Sequence, residues 1–333
     1  MADIYNIAEQ FKARLTSRER RAASVLVRAY GVAYLNIKRK FDDLAKDIEA
    51  ARAAGEEVPV GWLYERGRLA SLKSEMSAEL RRFSEGASRV ITDEQRAALR
   101  LGLSDSRTLV VAALEAEGLS VTANFGGLNR NAVEALAGFA SDGSPLADLL
   151  NDAGRRAGER ARLALVSGVA EGASADVIAR RVRDAFGGGL ARSLTIARTE
   201  TLRAYREAAR EVYRASSDVL DGWTWTASLS RRTCAMCLAM HGKVFRVEER
   251  LESHPNCRCV QVPLVTGGDD SGIKTGDAWL EAQTEEIQRA VLGDAKYELF
   301  KSGRLKLRDL VGERRDRRWG LTRFERPLHA VRT

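Results

Sequence analysis

The sequence predicts a mainly α-helical protein with one small β element, an α+β class that begins with a long helical hairpin. Three observations lead to this prediction. Apolar residues recur at helical spacing over about the first 115 residues, an alternating pattern follows residue 217, and all four cysteines fall between residues 234 and 259. The first pattern is typical of amphipathic helices and the second of a strand. The cysteines mark the β element as the place where chemistry is concentrated.

The N-terminal helices are predicted from two apolar stripes. The first has spacings of three and four over nearly three heptads: Tyr30, Tyr34, Ile37, Phe41, Leu44 and Ile48. The second follows a turn at Gly55 to Gly61 and ends near Gly86: Leu69, Leu72, Met76, Leu80 and Phe83. Two helices joined by a short turn pack as an antiparallel hairpin. Residues 1–120 are therefore predicted to be a helical arm, whose first stripe faces either the second helix or a partner. Thr92 and Ser104 indicate further helix starts.

Shorter elements are predicted for the rest of the chain. Residues 128–216 indicate helices, with Gly187-Gly188-Gly189 as a flexible joint. Gly222 to Ala227 and Gly242 to Val247 are typical of strands in a β unit over 217–265. Residues 266–276 indicate a linker, and 277–333 a helical and basic extension. A β unit this thin buries little core of its own, so a bound metal would stabilise it.

Five side chains between residues 234 and 259 are candidate metal ligands: Cys234, Cys237, His254, Cys257 and Cys259. Cys-x-x-Cys and His-x-x-Cys are two tight pairs, the arrangement that binds a structural Zn²⁺ tetrahedrally. If Cys257 and Cys259 lie on a strand, both thiols point to the same side. Four of the five groups would bind one zinc ion, and the spacing leaves open which four.

Other interpretations of the cysteines fit less well. A disulfide needs an oxidising compartment, and the N-terminus has no signal-like pattern. A redox Cys-x-x-Cys opens a helix in a βαβ unit, a context that is not predicted here. A zinc deaminase has His-x-Glu upstream of its cysteines, whereas the histidine here lies downstream of the first pair. A catalytic zinc keeps one position open, whereas five candidates overfill the site. His241 is predicted to be a solvated turn residue near this cluster.

Positive charge is concentrated at the C-terminus. The chain has a net charge of +8, and from residue 301 to 333 eleven cations face four carboxylates, a net charge of +7. Such a tail suits either a solvated surface, an acidic protein or nucleic-acid phosphates. The candidate nucleic-acid-binding residues are Lys301, Arg304, Lys306, Arg308, Arg314, Arg315, Arg317 and Arg318.

The order of motifs resembles a known family. Arg198-Thr-Glu200 precedes Gly222-Trp-Thr-Trp225, and the pairs in Thr233-Cys-Ala-Met-Cys237 and His254-Pro-Asn-Cys-Arg-Cys259 follow. Over about residues 130–265 this is similar to the head-morphogenesis domain of MuF-like minor head proteins of tailed bacteriophages. The resemblance implies a virion component, bound in a few copies to the portal protein inside the head and close to packaged DNA.

The function predicted is therefore that of a minor head protein in head assembly, DNA packaging or DNA delivery. Its expected partners are the portal protein, the capsid or scaffold interior and double-stranded DNA, with several copies around the portal. It would lie in the host cytoplasm during assembly and then inside the head near the portal. No membrane partner is expected, since no run of eighteen apolar residues occurs. No enzyme is expected, because no nucleophile-base arrangement or phosphate loop is recognisable. The alternative is a zinc-containing DNA-binding protein that uses the basic tail.

Overall fold

The computed structural model describes residues 2–119, 125, 128, 130–140, 142–268, 273–316 and 319–331. Long helices dominate it and the strands are few, which confirms the predicted fold class. The helices are α1 (Ala2–Ala53), α2 (Val60–Tyr64), α3 (Arg68–Ala116), α4 (Arg130–Glu134), α5 (Leu146–Ala170), α6 (Ala175–Ala215), α7 (Ala235–Met240), α8 (Gly276–Glu281), α9 (Glu285–Leu292) and α10 (Asp294–Lys301). The strands are β1 (Leu220–Thr226), β2 (Val244–Phe245), β3 (Val260–Val265), β4 (Val311–Asp316) and β5 (Gly320–Glu325). No helix in the described part of the chain is long and apolar enough to span a bilayer.

The chain divides into two compact units. The helical unit comprises Glu19–Asp93 and Gly138–Arg198, and the sheet unit comprises Met1–Arg18, Glu94–Ala137 and Thr199–Thr333. Helices α1, α3 and α6 each contribute residues to both units. The units are therefore assembled from separate stretches of chain. The boundaries expected at residues 120, 128, 265 and 276 divide the chain into consecutive segments, and these boundaries stay a prediction.

The core of the helical unit contains the two apolar stripes predicted for the N-terminal helices. Tyr30 meets Phe83 edge to face at 4.8 Å between ring centroids. The Tyr30 hydroxyl donates a hydrogen bond of 2.8 Å to the backbone oxygen of Phe186. Ile37, Phe41, Leu44 and Ile48 are buried in the same cluster. The first stripe therefore packs within the chain, which answers the question that its spacing left open.

Helix α3 is longer than predicted. It continues through Gly86 to Ala116, so the expected stop at Gly86 and the helix starts at Thr92 and Ser104 are wrong. The apolar stripe explains the continuation, because Phe83, Ala87 and Ile91 are buried at successive spacings of four. Burial on this face outweighs the cost of about 1 kcal/mol for a glycine inside a helix.

The triple glycine is helical, and the predicted flexible joint is wrong. Gly187 to Gly189 lie inside α6. A Cβ atom at Gly189 would lie 2.4 Å from the Tyr30 hydroxyl oxygen and 2.8 Å from the Ala157 Cβ atom. Gly189 therefore permits close packing of helices rather than bending of one.

The predicted β unit is a three-stranded antiparallel sheet with the strand order β2-β1-β3. Trp223 pairs in register with Phe245, and Trp225 with Gln261. The Trp223 ring stacks on Phe245 at 4.6 Å, and both tryptophans are completely buried in one core cluster. A Cβ atom at Gly222 would lie 2.2 Å from the Phe245 carbonyl oxygen, so the close approach of β2 requires glycine.

The C-terminal extension, predicted to be helical and basic over residues 277–333, is helical only in its first part. It forms the three short helices α8 to α10, with Thr284 capping the second and Gly293 at φ 73° separating the second from the third. A β-hairpin of β4 and β5 follows where no strand was expected, paired from Val311↔Glu325 to Asp316↔Gly320. Between these strands, residues 317 and 318 lie outside the described part.

Candidate metal centre

Helix α7 presents the first pair of thiols. Cys234 is its N-cap, and the Cys234 Sγ atom accepts a hydrogen bond from the Cys237 backbone N–H at 3.4 Å. A single turn of helix therefore brings both thiols to one side. Cys237 is buried, while Cys234 is partly exposed, and neither forms a disulfide.

The second group of candidates lies on the loop that leads into β3. The His254 Nε2 atom lies 3.3 Å from the sulfur atoms of both Cys234 and Cys237. The His254 Nδ1 atom donates a 2.7 Å hydrogen bond to the Pro255 carbonyl oxygen, which leaves Nε2 as the free ligand nitrogen. The Cys257 and Cys237 sulfur atoms lie 3.7 Å apart. All five predicted candidates are thus brought together.

Their ligand atoms form two overlapping groups of three. One contains Cys234, Cys237 and His254, the other contains Cys237, Cys257 and Cys259, and within each group all atoms lie within 4.8 Å of one another. For Zn–S of 2.3 Å and Zn–N near 2.05 Å, the edges of a tetrahedron are about 3.8 Å for S···S and about 3.6 Å for S···N. The distances of 3.7 Å between the Cys237 and Cys257 sulfur atoms and of 3.3 Å from Cys234 to His254 Nε2 are close to those edges. The Cys/His groups are therefore positioned to hold a metal ion.

The cluster contains two acidic thiols, Cys234 and Cys257, and two thiols, Cys237 and Cys259, whose pKa is raised well above the usual range. Hydrogen bonding with the Cys237 thiol lowers the pKa of Cys234 to about 5, although burial acts against it. Burial acts to raise the pKa of Cys257, but hydrogen bonds from neighbouring thiols and the Arg206 charge bring it well below the usual range. Burial disfavours the charged imidazole of His254, yet its contact with Cys234 raises the pKa to about 9. Thiolates and neutral imidazoles are the forms that bind metals, so metal binding at this site would release the protons of Cys237 and His254.

Arg206 of α6 holds the loop of residues 253–259, which carries three of the candidate ligands and is called the ligand loop below. The sequence alone did not identify this arginine. The Arg206 side chain is buried and donates to the backbone oxygens of Cys259 at 2.9 Å and Cys257 at 2.8 Å. It also donates to the Ser253 hydroxyl at 2.9 Å. One planar guanidinium therefore fixes three points on the loop. An arginine six residues after Glu200 had no distinguishing signal in the sequence.

The Arg-Thr-Glu motif is also explained by contacts. Thr199 accepts a 3.1 Å hydrogen bond from the Asn256 backbone N–H, and Asn256 has the left-handed φ of 68° that the loop requires. Glu200 is completely buried, and its carboxylate accepts bonds from Arg203 at 2.8 Å and from the Trp319 indole at 2.9 Å. This motif therefore joins α6 to the ligand loop and to the C-terminal hairpin.

His241 differs from the prediction. Its side chain is buried, and its Nδ1 atom accepts a 3.0 Å hydrogen bond from the Ala227 backbone N–H. The expectation of a solvated turn histidine is wrong, because Ala227 follows β1 directly and draws the imidazole inward. His241 is absent from both groups of possible ligands found among the described residues.

The basic residues of the C-terminus are spread over several elements. Lys301 ends α10 and lies 3.6 Å from the Glu285 carboxylate. The Arg314 guanidinium lies over the Phe324 ring at 5.0 Å. The remaining described candidates are exposed: Arg304, Lys306, Arg308 and Arg315. Arg317 and Arg318 lie outside the described residues. Their proposed role in binding nucleic acid stays a prediction.

The fold and the site define a class: a mainly helical protein whose small sheet carries a Cys/His group able to hold a metal ion. Residues 159–262 match the family model of phage Mu protein F like proteins. Over this segment the chain is MuF-like, which confirms the resemblance and supports a role in phage head morphogenesis and association with the virion. Comparison with curated proteins and with solved structures gave no match.

Proposed function

We propose that this protein is a minor head protein of a tailed phage, bound to the portal inside the head in a few copies. The family match over residues 159–262 carries this proposal, because it contains the Arg-Thr-Glu motif and all of the candidate ligands. In this role the helical N-terminal region meets the portal, and the protein acts in head assembly, packaging or delivery of DNA. It is a structural protein and not an enzyme.

The proposed metal is one structural Zn²⁺, bound by Cys234, Cys237, His254 and Cys257. Three thiolates and an imidazole are a donor set that zinc prefers, and four protein ligands leave no position for water. Cys257 is preferred to Cys259 because its sulfur lies at a tetrahedral edge distance from Cys237. The Cys257 sulfur also accepts the Cys259 backbone N–H at 3.4 Å, the same bond that Cys234 receives within the first pair.

The composition of phage heads tests the head-protein proposal. We expect purified heads to contain this protein in a fixed, small ratio to the portal protein, both before and after packaging. Mass spectrometry of heads from a packaging-deficient phage mutant and of mature virions measures that ratio. A protein that is absent from both particles, or whose amount follows the major capsid protein, would contradict portal-bound placement.

A second candidate function is binding of duplex DNA, favoured by three exposed cations within five residues: Arg304, Lys306 and Arg308. Because Leu305, Leu307 and Leu310 are buried against α7, charge reversal is a cleaner test than truncation. Changing the three cations to glutamate is expected to weaken DNA binding at least tenfold. The slope of log K against log salt should fall by about 2.7, since each phosphate contact contributes about 0.9.

The matched control reverses three exposed arginines of the helical unit: Arg155, Arg156 and Arg181. Fluorescence anisotropy with labelled duplex DNA at several salt concentrations measures both sets. If both triple variants lose DNA affinity equally, the effect comes from net charge alone. If the variant of Arg304, Lys306 and Arg308 keeps its affinity, DNA binds elsewhere.

A further inference from the structure

Helix α1 carries a second seam, on the outside of the helical unit. Six exposed residues follow one another at spacings of four, three, four, three and four: Arg21, Val25, Arg28, Val32, Leu35 and Arg39. The apolar members are largely exposed, at 40% for Val25, 61% for Val32 and 58% for Leu35. We call these six residues the outer seam. This spacing places the six side chains along one face of the helix, as in helices that pack along a partner helix.

The outer seam is separate from the part of α1 that builds the core. Leu26, Tyr30, Ala33 and Ile37 face inward and are buried. Because α1 is held by these contacts, the outer seam has a fixed direction and cannot rotate into the protein. Large exposed apolar side chains aligned on one face of a fixed helix are typical of an interaction site.

Charge identifies the kind of partner. From residue 20 to residue 41 the sequence contains six lysines and arginines and no carboxylate. Arg28 donates to the Ser24 hydroxyl and Arg39 to the Asn36 side chain. None of the three seam arginines has a carboxylate partner among the residues that the structure describes. The complementary surface therefore alternates apolar and acidic side chains.

We propose that the outer seam is a docking surface for an acidic amphipathic helix of another protein. A second copy of this chain fits poorly, because antiparallel pairing about the seam's centre sets Arg21 against Arg39, and parallel pairing sets each arginine against itself. A membrane surface fits poorly too, because the apolar stripe is one residue wide and has no aromatic anchor. The inference rests on α1 alone and does not depend on the proposed function.

Binding of a synthetic helix to the full-length chain tests the outer seam. The probe is a fluorescein-labelled amphipathic peptide with leucine and glutamate alternating along its seam, and the comparison peptide has lysine in place of glutamate. We expect the glutamate peptide to bind and the lysine peptide not to bind. Val32→Glu should weaken binding of the glutamate peptide at least about tenfold, since it removes an apolar contact and adds a like charge.

Val27→Glu is the matched control. Val27 is 44% exposed on the same helix but lies outside the outer seam, so its replacement should change affinity less than about twofold. Circular dichroism of all variants checks that α1 is intact. The proposal is overturned if both peptides bind alike, if neither binds, or if the two valine variants lose affinity equally. It is also overturned if vesicles of equal parts phosphatidylcholine and phosphatidylserine bind in place of the peptide, or if the outer seam instead mediates self-association.

Discussion

Replacing Cys237 by serine is expected to abolish binding of the proposed zinc ion and to lower the melting temperature of the sheet unit by roughly 10 °C. Cys237 belongs to both groups of possible ligands, and its sulfur lies close to both His254 and Cys257. The remaining thiol, Cys259, belongs to only one of the two groups, so it does not link Cys234 and His254 to Cys257 as Cys237 does. Metal binding contributes to folding free energy because the site does not exist in the unfolded chain. Loss of metal and loss of stability should therefore occur together.

Elemental analysis and thermal unfolding of the purified chain measure the two effects in the same sample. Cys259→Ser is the matched control, because it removes a buried thiol from the same loop while leaving the four proposed ligands. That variant should retain one zinc and lose only about 1 kcal/mol. If Cys259→Ser loses zinc while Cys257→Ser retains it, the fourth ligand is Cys259 and not Cys257. Loss of metal from Cys237→Ser without any change in melting temperature would mean that the zinc is not structural.

Residues whose chemistry is local were predictable from the sequence. The Cys-x-x-Cys and His-x-x-Cys pairs identify a metal site because the covalent spacing alone places two ligands within reach. The stripe from Tyr30 to Ile48 identified the inward face of α1 because helical periodicity depends only on the backbone. The alternation around Trp223 and Trp225 identified β1 for the same reason.

The wrong predictions depend on contacts between distant residues. Gly86 was predicted to end a helix, yet α3 continues because the apolar stripe continues. Gly187 to Gly189 were predicted to be a flexible joint, yet α6 is helical there and Tyr30 packs against Gly189. The hairpin of β4 and β5 has arginines in its strands, so an alternating apolar pattern is weak there. Its position is instead fixed by Trp319, whose indole bonds to the buried Glu200.

Arg206, which supports the loop that carries the candidate ligands, was not predictable for the same reason. It lies about fifty residues before that loop in the sequence. Its neighbours on α6 are also arginines, and each of Arg203, Arg210 and Arg214 forms an ion pair with a glutamate on the same helix. Only the three-dimensional structure distinguishes the arginine that points into the sheet unit from those that lie along the helix. Its role is therefore to position the ligands rather than to bind metal.

Replacing Arg206 by methionine is expected to lower the free energy of unfolding by about 3 kcal/mol and to weaken zinc affinity about 10- to 100-fold. Methionine fills much of the same volume, but it leaves the Cys257 and Cys259 carbonyl oxygens without their donor. The control is Arg214→Met, because Arg214 pairs with Glu211 near the surface and its loss should cost less than about 0.5 kcal/mol.

Urea unfolding and chelator competition measure the two quantities for each variant. Because Arg206 is not a ligand, the Arg206→Met protein should still bind one zinc at saturating metal, and added zinc should recover part of the lost stability. This recovery separates a positioning residue from a ligand, since Cys237→Ser should not recover at any zinc concentration. Equal zinc affinity in Arg206→Met and in the native protein would show that the loop holds its ligands in place without the guanidinium.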